Sequence, residues 1–137
     1  CIQPVMSRCC VSVPADFSKK LPRYNRIAYE AAKQSRRGLV PEVLNVLPLS
    51  AVEPEDFDLV LLAYEREGER TLRQALRANP APLSAALIIG PEGGFDEEEA
   101  AALIQRGAIA VSLGPRILRT ETAGPTMLAQ LLYEVEP

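Results

Sequence analysis

Three short apolar runs, Leu59–Tyr64, Ala85–Ile89 and Ala108–Leu113, alternate along the chain with stretches long enough for a helix. That alternation constrains the fold more than any other feature. Leu59-Val60-Leu61-Leu62-Ala63-Tyr64 has no polar residue at alternate positions, the pattern of a strand buried on both faces. Such strands in series, with helices between them, predict an α/β fold: a mainly parallel sheet with helices on both faces. Two of the runs end in glycine, at Gly90 and Gly114. Glycine lets the main chain adopt positive φ and approach a ligand closely. Two such strand-end loops describe a ligand crevice at the carboxyl edge of the sheet.

The intervening segments carry helix signals. Ile27, Ala28, Ala31 and Ala32 recur at helical spacing within Lys19–Gln34, with Lys20, Arg23, Arg26, Glu30 and Lys33 turned outward. Glu69–Asn79 predicts a short helix stopped by Pro80 and Pro82. Asp96 is the expected N-cap of a third helix, with Glu99 completing a capping box and Gly107 ending it. A last helix is expected from about Gly124, with Pro125 at its first position and Met127, Leu128, Leu131 and Leu132 on its buried side. Ile2–Val13 reads as one or two short strands, Val40–Val46 as extended, and Pro48–Phe57 as an acidic loop.

At 137 residues the chain supports one domain, and a 47% apolar fraction suits a globular core. No apolar run approaches the roughly 20 residues that span a bilayer. A net charge of −3 argues against indiscriminate nucleic-acid binding but leaves local basic patches possible. Histidine is absent, which removes Ser-His-Asp and Cys-His mechanisms. Cys1, Cys9 and Cys10 lack CxxC spacing, so zinc would need all three plus a carboxylate. No metal is expected, and the thiols read as idle in a reducing cytoplasm. The chain starts at Cys1, inside an apparent strand, and reads as a fragment.

The chemistry concentrates in two loops. Gly90-Pro91-Glu92-Gly93-Gly94-Phe95 precedes a capped helix, a place where free amides favour an anion. Glu97, Glu98 and Glu99 already satisfy that helix end and would repel phosphate, and neither a Walker loop nor GxGxxG is present. A tight turn with packing glycines is the competing reading of this loop alone. In the second loop, Arg116 and Arg119 flank Ile117-Leu118, and Glu121 follows. An apolar pair between two guanidiniums suits a flat ring beside a phosphate or a polar base edge. The competing reading is a surface loop with scattered arginines.

Together, Gly90–Phe95 and Leu113-Gly114-Pro115-Arg116-Ile117-Leu118-Arg119-Thr120-Glu121-Thr122-Ala123 resemble the signature of the bacterial 16S ribosomal RNA uracil N3-methyltransferases, members of the SPOUT (α/β-knot) superfamily. Arg23-Tyr24, Ile27-Ala28, Glu30-Ala31-Ala32, Gln34-Ser35, Arg37 and Val40-Pro41-Glu42-Val43 are similar to that family's helix-and-loop segment, and Leu62-Ala63-Tyr64-Glu65 to a further strand end. The resemblance spans nearly the whole chain. The sequence departs from the family at Ser7-Arg8-Cys9, where a Glu-Arg pair is usual. The family also carries an N-terminal RNA-binding barrel related to PUA domains, then a first strand and helix of the catalytic domain, all expected to precede Cys1. Residues 1–137 would then be the core of a SPOUT methyltransferase domain.

The resemblance implies a C-terminal trefoil knot that holds S-adenosyl-L-methionine against Leu62, Gly90, Glu92, Gly93, Leu113, Gly114, Ile117 and Leu118. It implies N3 methylation of a uracil in 16S ribosomal RNA of the small subunit. A uracil N3 carries a proton, so Glu121 or Glu92 is a candidate base and Arg119 or Arg116 a candidate charge stabiliser. Arg119 and Glu121 are the leading pair, with a purely structural ion pair between them as the alternative. Arg36, Arg37 and Arg116 are candidate RNA contacts, and Lys19, Lys20 and Arg23 read as a solvated helix face, with further RNA contacts as the alternative. A cytoplasmic homodimer through the last helix, with Met127, Leu131 and Tyr133 at its contact, is also implied. The alternatives are a relative acting on transfer RNA or another ribosomal position, and a non-catalytic RNA-binding or ribosome-assembly module.

Overall fold

The structure, a computed structural model, describes residues 1–6 and 17–135, which fall into two compact units of residues 1–6 with 17–52 and residues 53–135. The expectations for Arg8, Cys9, Cys10 and the strand continuing to Val13 lie outside the described residues.

In the first unit, β1 (Val5–Met6) pairs in parallel with β2 (Leu47–Pro48), and Ile2 bridges Val43. The helix α1 runs Phe17–Gln34, and Ala28 and Ala32, one turn apart, are its buried residues. Ile27 and Ala31, expected beside them, are exposed. Asn25 ties α1 to the bridge: its Oδ1 accepts from Val43 N at 2.8 Å and its Nδ2 donates to Val43 O at 3.0 Å. The side-chain amide thereby satisfies both backbone groups of Val43, as a neighbouring strand would. The stretch expected to be extended over Val40–Val46 holds only that bridge, and the strand proper follows it. The expected loop Pro48–Phe57 contains two 3₁₀ turns, Leu49–Ala51 and Pro54–Asp56.

The end of α1 is unusual. Arg36 N donates to Lys33 O and Arg37 N to Ala32 O, with Arg36 at φ 56°. Those two bonds and the left-handed residue make a Schellman terminus, whose left-handed position most often holds glycine.

In the second unit, β3 (Leu59–Ala63), β4 (Ala85–Ile89) and β5 (Ile109–Val111) form a parallel sheet in the order β4-β3-β5. Leu61 of the central strand registers with Leu87 on one side and Ile109 on the other. The apolar runs therefore become the α/β sheet that their alternation predicts. Leu59, Leu61 and Val111 pack with Leu72, Ala75 and Leu76 of α2 (Leu72–Ala78) and Met127 and Leu131 of α4 (Thr120–Val135). Val60 and Leu62, which point the other way from β3, are equally buried, so both faces of that strand are covered.

Thr71 caps α2 through a full capping box with Gln74. Asp96 and Glu99 cap α3 (Glu97–Gln105) as expected, and Gly107 ends it at φ 102°. The last helix differs from expectation. It opens at Thr120 and places Pro125 inside, at its sixth residue. Proline removes only the bond to the carbonyl four residues back, that of Glu121, and so close to the start the helix survives the loss. Arg119 O anchors the first turn instead, accepting from Thr122 N and Ala123 N at 2.9 and 2.8 Å.

Candidate functional site

A cleft opens within the second unit where the three strands end. Ala63, Tyr64 and Glu65 line it from β3, Ile89, Gly90 and Pro91 from β4, and Val111 to Gly114 from β5. The chain passes from the central strand β3 to β4 on one side and then back across to β5 on the other, and crevices in open α/β sheets form at such a reversal, beyond the carboxyl ends. The remaining wall is Arg116, Ile117, Leu118, Thr120 and Ala123 from the second loop and the start of α4, with Gly94 and Phe95 closing the first loop.

Local chemistry explains how the loops are held. Thr120 Oγ1 donates to Gly90 O at 3.0 Å, joining the start of α4 to the end of β4. The Phe95 side chain is buried and packs against Gly90, where an added Cβ would stand 2.9 Å from its ring. Ser112 Oγ bonds the Gly114 carbonyl and amide at 3.1 and 3.3 Å, which turns the chain sharply after β5. Gly114 adopts φ 140°, and nothing lies within 4 Å of where its Cβ would be. Its surface toward the cleft is bare backbone.

One carboxylate tunes the approach. Glu67 Oε1 accepts from Arg70 N and Glu69 N, both at 2.9 Å, and these bonds hold its carboxyl below the usual range. The turn so fixed lets Arg70 O receive Ser112 N at 2.8 Å and Leu72 N reach Ser112 O at 3.1 Å. Ser112 is thus locked between the end of β5 and the entry to α2.

Of the residues expected at a site, the cleft brings together Gly90, Leu113, Gly114, Arg116, Ile117 and Leu118. Ile117 is 83% exposed, an apolar side chain in solvent beside the cleft mouth. Leu62 is different. Its side chain is fully buried in the strand, and the lining begins one residue later. Glu92 and Gly93 are exposed at the tip of the first loop and do not line the cleft, and Arg119 and Glu121 are exposed beside the lining residues Leu118 and Thr120. Among the described residues no ion pair joins Arg119 to Glu121. Glu121 lies in the first turn of α4, where a carboxylate is favoured by the helix dipole. Arg36 and Arg37 belong to the other unit, both exposed.

Tyr64, Glu65, Thr120 and Phe95 were not singled out individually from sequence. The strand-end logic that pointed to Gly90 and Gly114 applies equally to the end of Leu59–Tyr64, and would have led to Glu65 rather than Leu62.

The RNA methyltransferase domain family matches residues 1–132 of the 137. The chain belongs to that family. Ribosomal RNA small subunit methyltransferase E of Bacillus subtilis is 39% identical over 124 residues, 86% of this chain and 48% of the relative. The protein of the same name from Aquifex aeolicus is 33% identical over 129 residues, 94% of this chain and 55% of the relative. A crystal structure of a ribosomal RNA small subunit methyltransferase E from Neisseria gonorrhoeae, bound to S-adenosyl methionine, superposes with a TM-score of 0.81 at 34% identity, covering 98% of this chain and 54% of that one. The chain spans about half the length of the relatives it matches.

Within this methyltransferase domain, α4 corrects two expectations. Met127 and Leu131, expected at a contact between subunits, are buried against the domain's own strands and α2. Leu128, expected on the buried side with them, is instead exposed at 42%, as are Tyr133 at 82% and Val135 at 43%. Arg73 of α2 pairs with Glu134 at 3.3 Å near the helix end. Among the described residues no cluster of acidic or cysteine side chains is placed to hold a metal ion, and no helix is long and apolar enough to cross a membrane.

Proposed function

We propose that the chain is the core of an S-adenosyl-L-methionine-dependent methyltransferase that modifies uracil N3 in 16S ribosomal RNA of the small subunit, in the cytoplasm. The observation that carries this reading is the strand-end cleft, built from the two loops of the sequence signature, in a chain whose fold superposes on that of a relative solved with S-adenosyl methionine bound. The donor set fits the cofactor. Bare backbone at Gly90 and Gly114 suits an adenosine held by main-chain groups, while Ile117 and Leu118 offer apolar cover for its ring. The two loops are the segments we assign to the trefoil knot.

When bound, the cofactor supplies an electrophilic methyl carbon on a sulfonium. The protein must place a uracil N3 in line with it and dispose of the N3 proton. Arg119 is assigned to a uracil oxygen, where charge develops as the proton leaves, and Glu121 to orienting Arg119 or accepting that proton. Arg116 at the cleft, and Arg36 and Arg37 in the other unit, are assigned to RNA phosphates. Leu128 and Tyr133, exposed apolar residues of α4, are the surface we assign to a homodimer.

Mass mapping of 16S ribosomal RNA from a strain lacking the gene tests the reading. Loss of one N3-methyluridine, restored by the intact gene, is the expected result. An unchanged modification pattern, with cofactor binding by the purified protein, would instead favour a different RNA target or a non-catalytic RNA-binding module.

A further inference from the structure

Among the described residues that line the cleft, Glu65 and Arg116 alone carry charge. Glu65 stands two residues beyond β3, the central strand, and its carboxylate occupies a space made for it. Gly94 sits at φ 75°, and a Cβ there would stand 2.5 Å from Glu65 Oε1 and 3.1 Å from Cδ. A side chain at position 94 would therefore meet the carboxylate, while glycine leaves it room. Glu65 enters no ion pair among the described residues, and its neighbour Arg66 is engaged with Glu97. Its exposed carboxylate is thus left open to the cleft, with the Arg116 guanidinium the other charged group in the lining.

We propose that Glu65 selects the charged, methyl-bearing form of the cofactor over its spent thioether form, a selectivity role that rests on the cofactor reading above. The two forms differ at one sulfur by a methyl group and a unit of positive charge. Backbone amides and apolar walls grip the nucleoside common to both and discriminate little. A carboxylate in the same cleft senses the charge directly. Fresh cofactor is held and spent cofactor released, without any group having to recognise the methyl itself.

Calorimetric titration of wild type and Glu65→Gln with S-adenosylmethionine and with S-adenosylhomocysteine tests this. The substitution is expected to weaken the sulfonium ligand about five- to tenfold and to leave the thioether within about twofold, as for one charge pair at partly solvated range. The difference should shrink in about 0.5 M salt. Glu65 is exposed, so the variant should melt with wild type, and Glu65→Asp should keep part of the preference. Equal weakening of both ligands would show that Glu65 merely supports the turn at Gly94, and would overturn the proposal. Unchanged affinities in the variant would overturn it while leaving the cofactor reading intact. A wild-type protein that bound neither ligand would remove the cofactor reading and this inference with it.

Discussion

Replacing Thr120 with valine removes one hydroxyl and keeps the shape of the side chain, so it isolates the bond that joins the two cleft loops. Thr120 Oγ1 donates to Gly90 O at 3.0 Å in a part-buried setting. A neutral hydrogen bond contributes a net ~0.5–1.5 kcal/mol, and a stranded buried carbonyl costs ~1–3 kcal/mol. Gly90 is only half-buried, so water recovers part of that loss. The expected cost is about 1–2 kcal/mol, a factor of about 5–30 in an equilibrium constant. Valine and threonine share a branched Cβ, so helix propensity contributes little. Urea unfolding should show the lowered midpoint, and calorimetry with S-adenosylmethionine should show weaker binding, because Gly90 and Leu118 are then no longer held at one spacing. Thr120→Ser keeps the donor and should recover most of both losses. If Thr120→Val matched wild type in both assays, or if serine were as damaging as valine, the hydroxyl would not be what holds the loops together.

The remaining predictions follow from packing, backbone strain and charge. Met127 is fully buried between α2 and the sheet, so Met127→Ala should cost ~2–5 kcal/mol in urea unfolding. Dissociation of a dimer with an unchanged unfolding midpoint would refute its place in the core. Arg36 holds φ 56° at the end of α1, so Arg36→Gly should raise stability by about 1 kcal/mol, while filter binding to 16S ribosomal RNA weakens if that arginine contacts phosphate. A lower melting temperature would sink the strain argument. Glu67 is held below its ordinary value near 4.5 by the amides of Arg70 and Glu69, and Glu55 by its hydrogen bonds with Arg106. A carboxyl depressed in the folded state contributes stability above its unfolded value and loses it as pH falls through the folded one. Melting temperature should therefore decline below about pH 4.5, and less so in Glu67→Gln, whose amide cannot titrate; an identical decline in the variant would refute Glu67's part.

How much of this was legible in advance depends on what each signal reports. Leu59–Tyr64 and Ala85–Ile89 became strands because no polar residue interrupts them, and Asp96 with Glu99 became a cap because both partners of that device lie three residues apart. These are local facts with local causes. The start of α4 differs because Pro125 suits a helix opener in sequence, whereas in the structure Arg119 O anchors two amides upstream of it. Periodicity marked Met127 and Leu131 as a buried stripe, yet a stripe says nothing of what buries it. The answer, strands β3 and β5 and helix α2, comes from residues more than fifteen positions away. Leu62 shows the same limit on a strand. A run apolar at every position reports burial on both faces, so no residue inside it can be singled out as facing a ligand. The informative position is the first charged residue after the run, because the pleat has ended there and the side chain can turn into the space above the sheet edge. By that argument Glu65, and not Leu62, is where the central strand meets its chemistry.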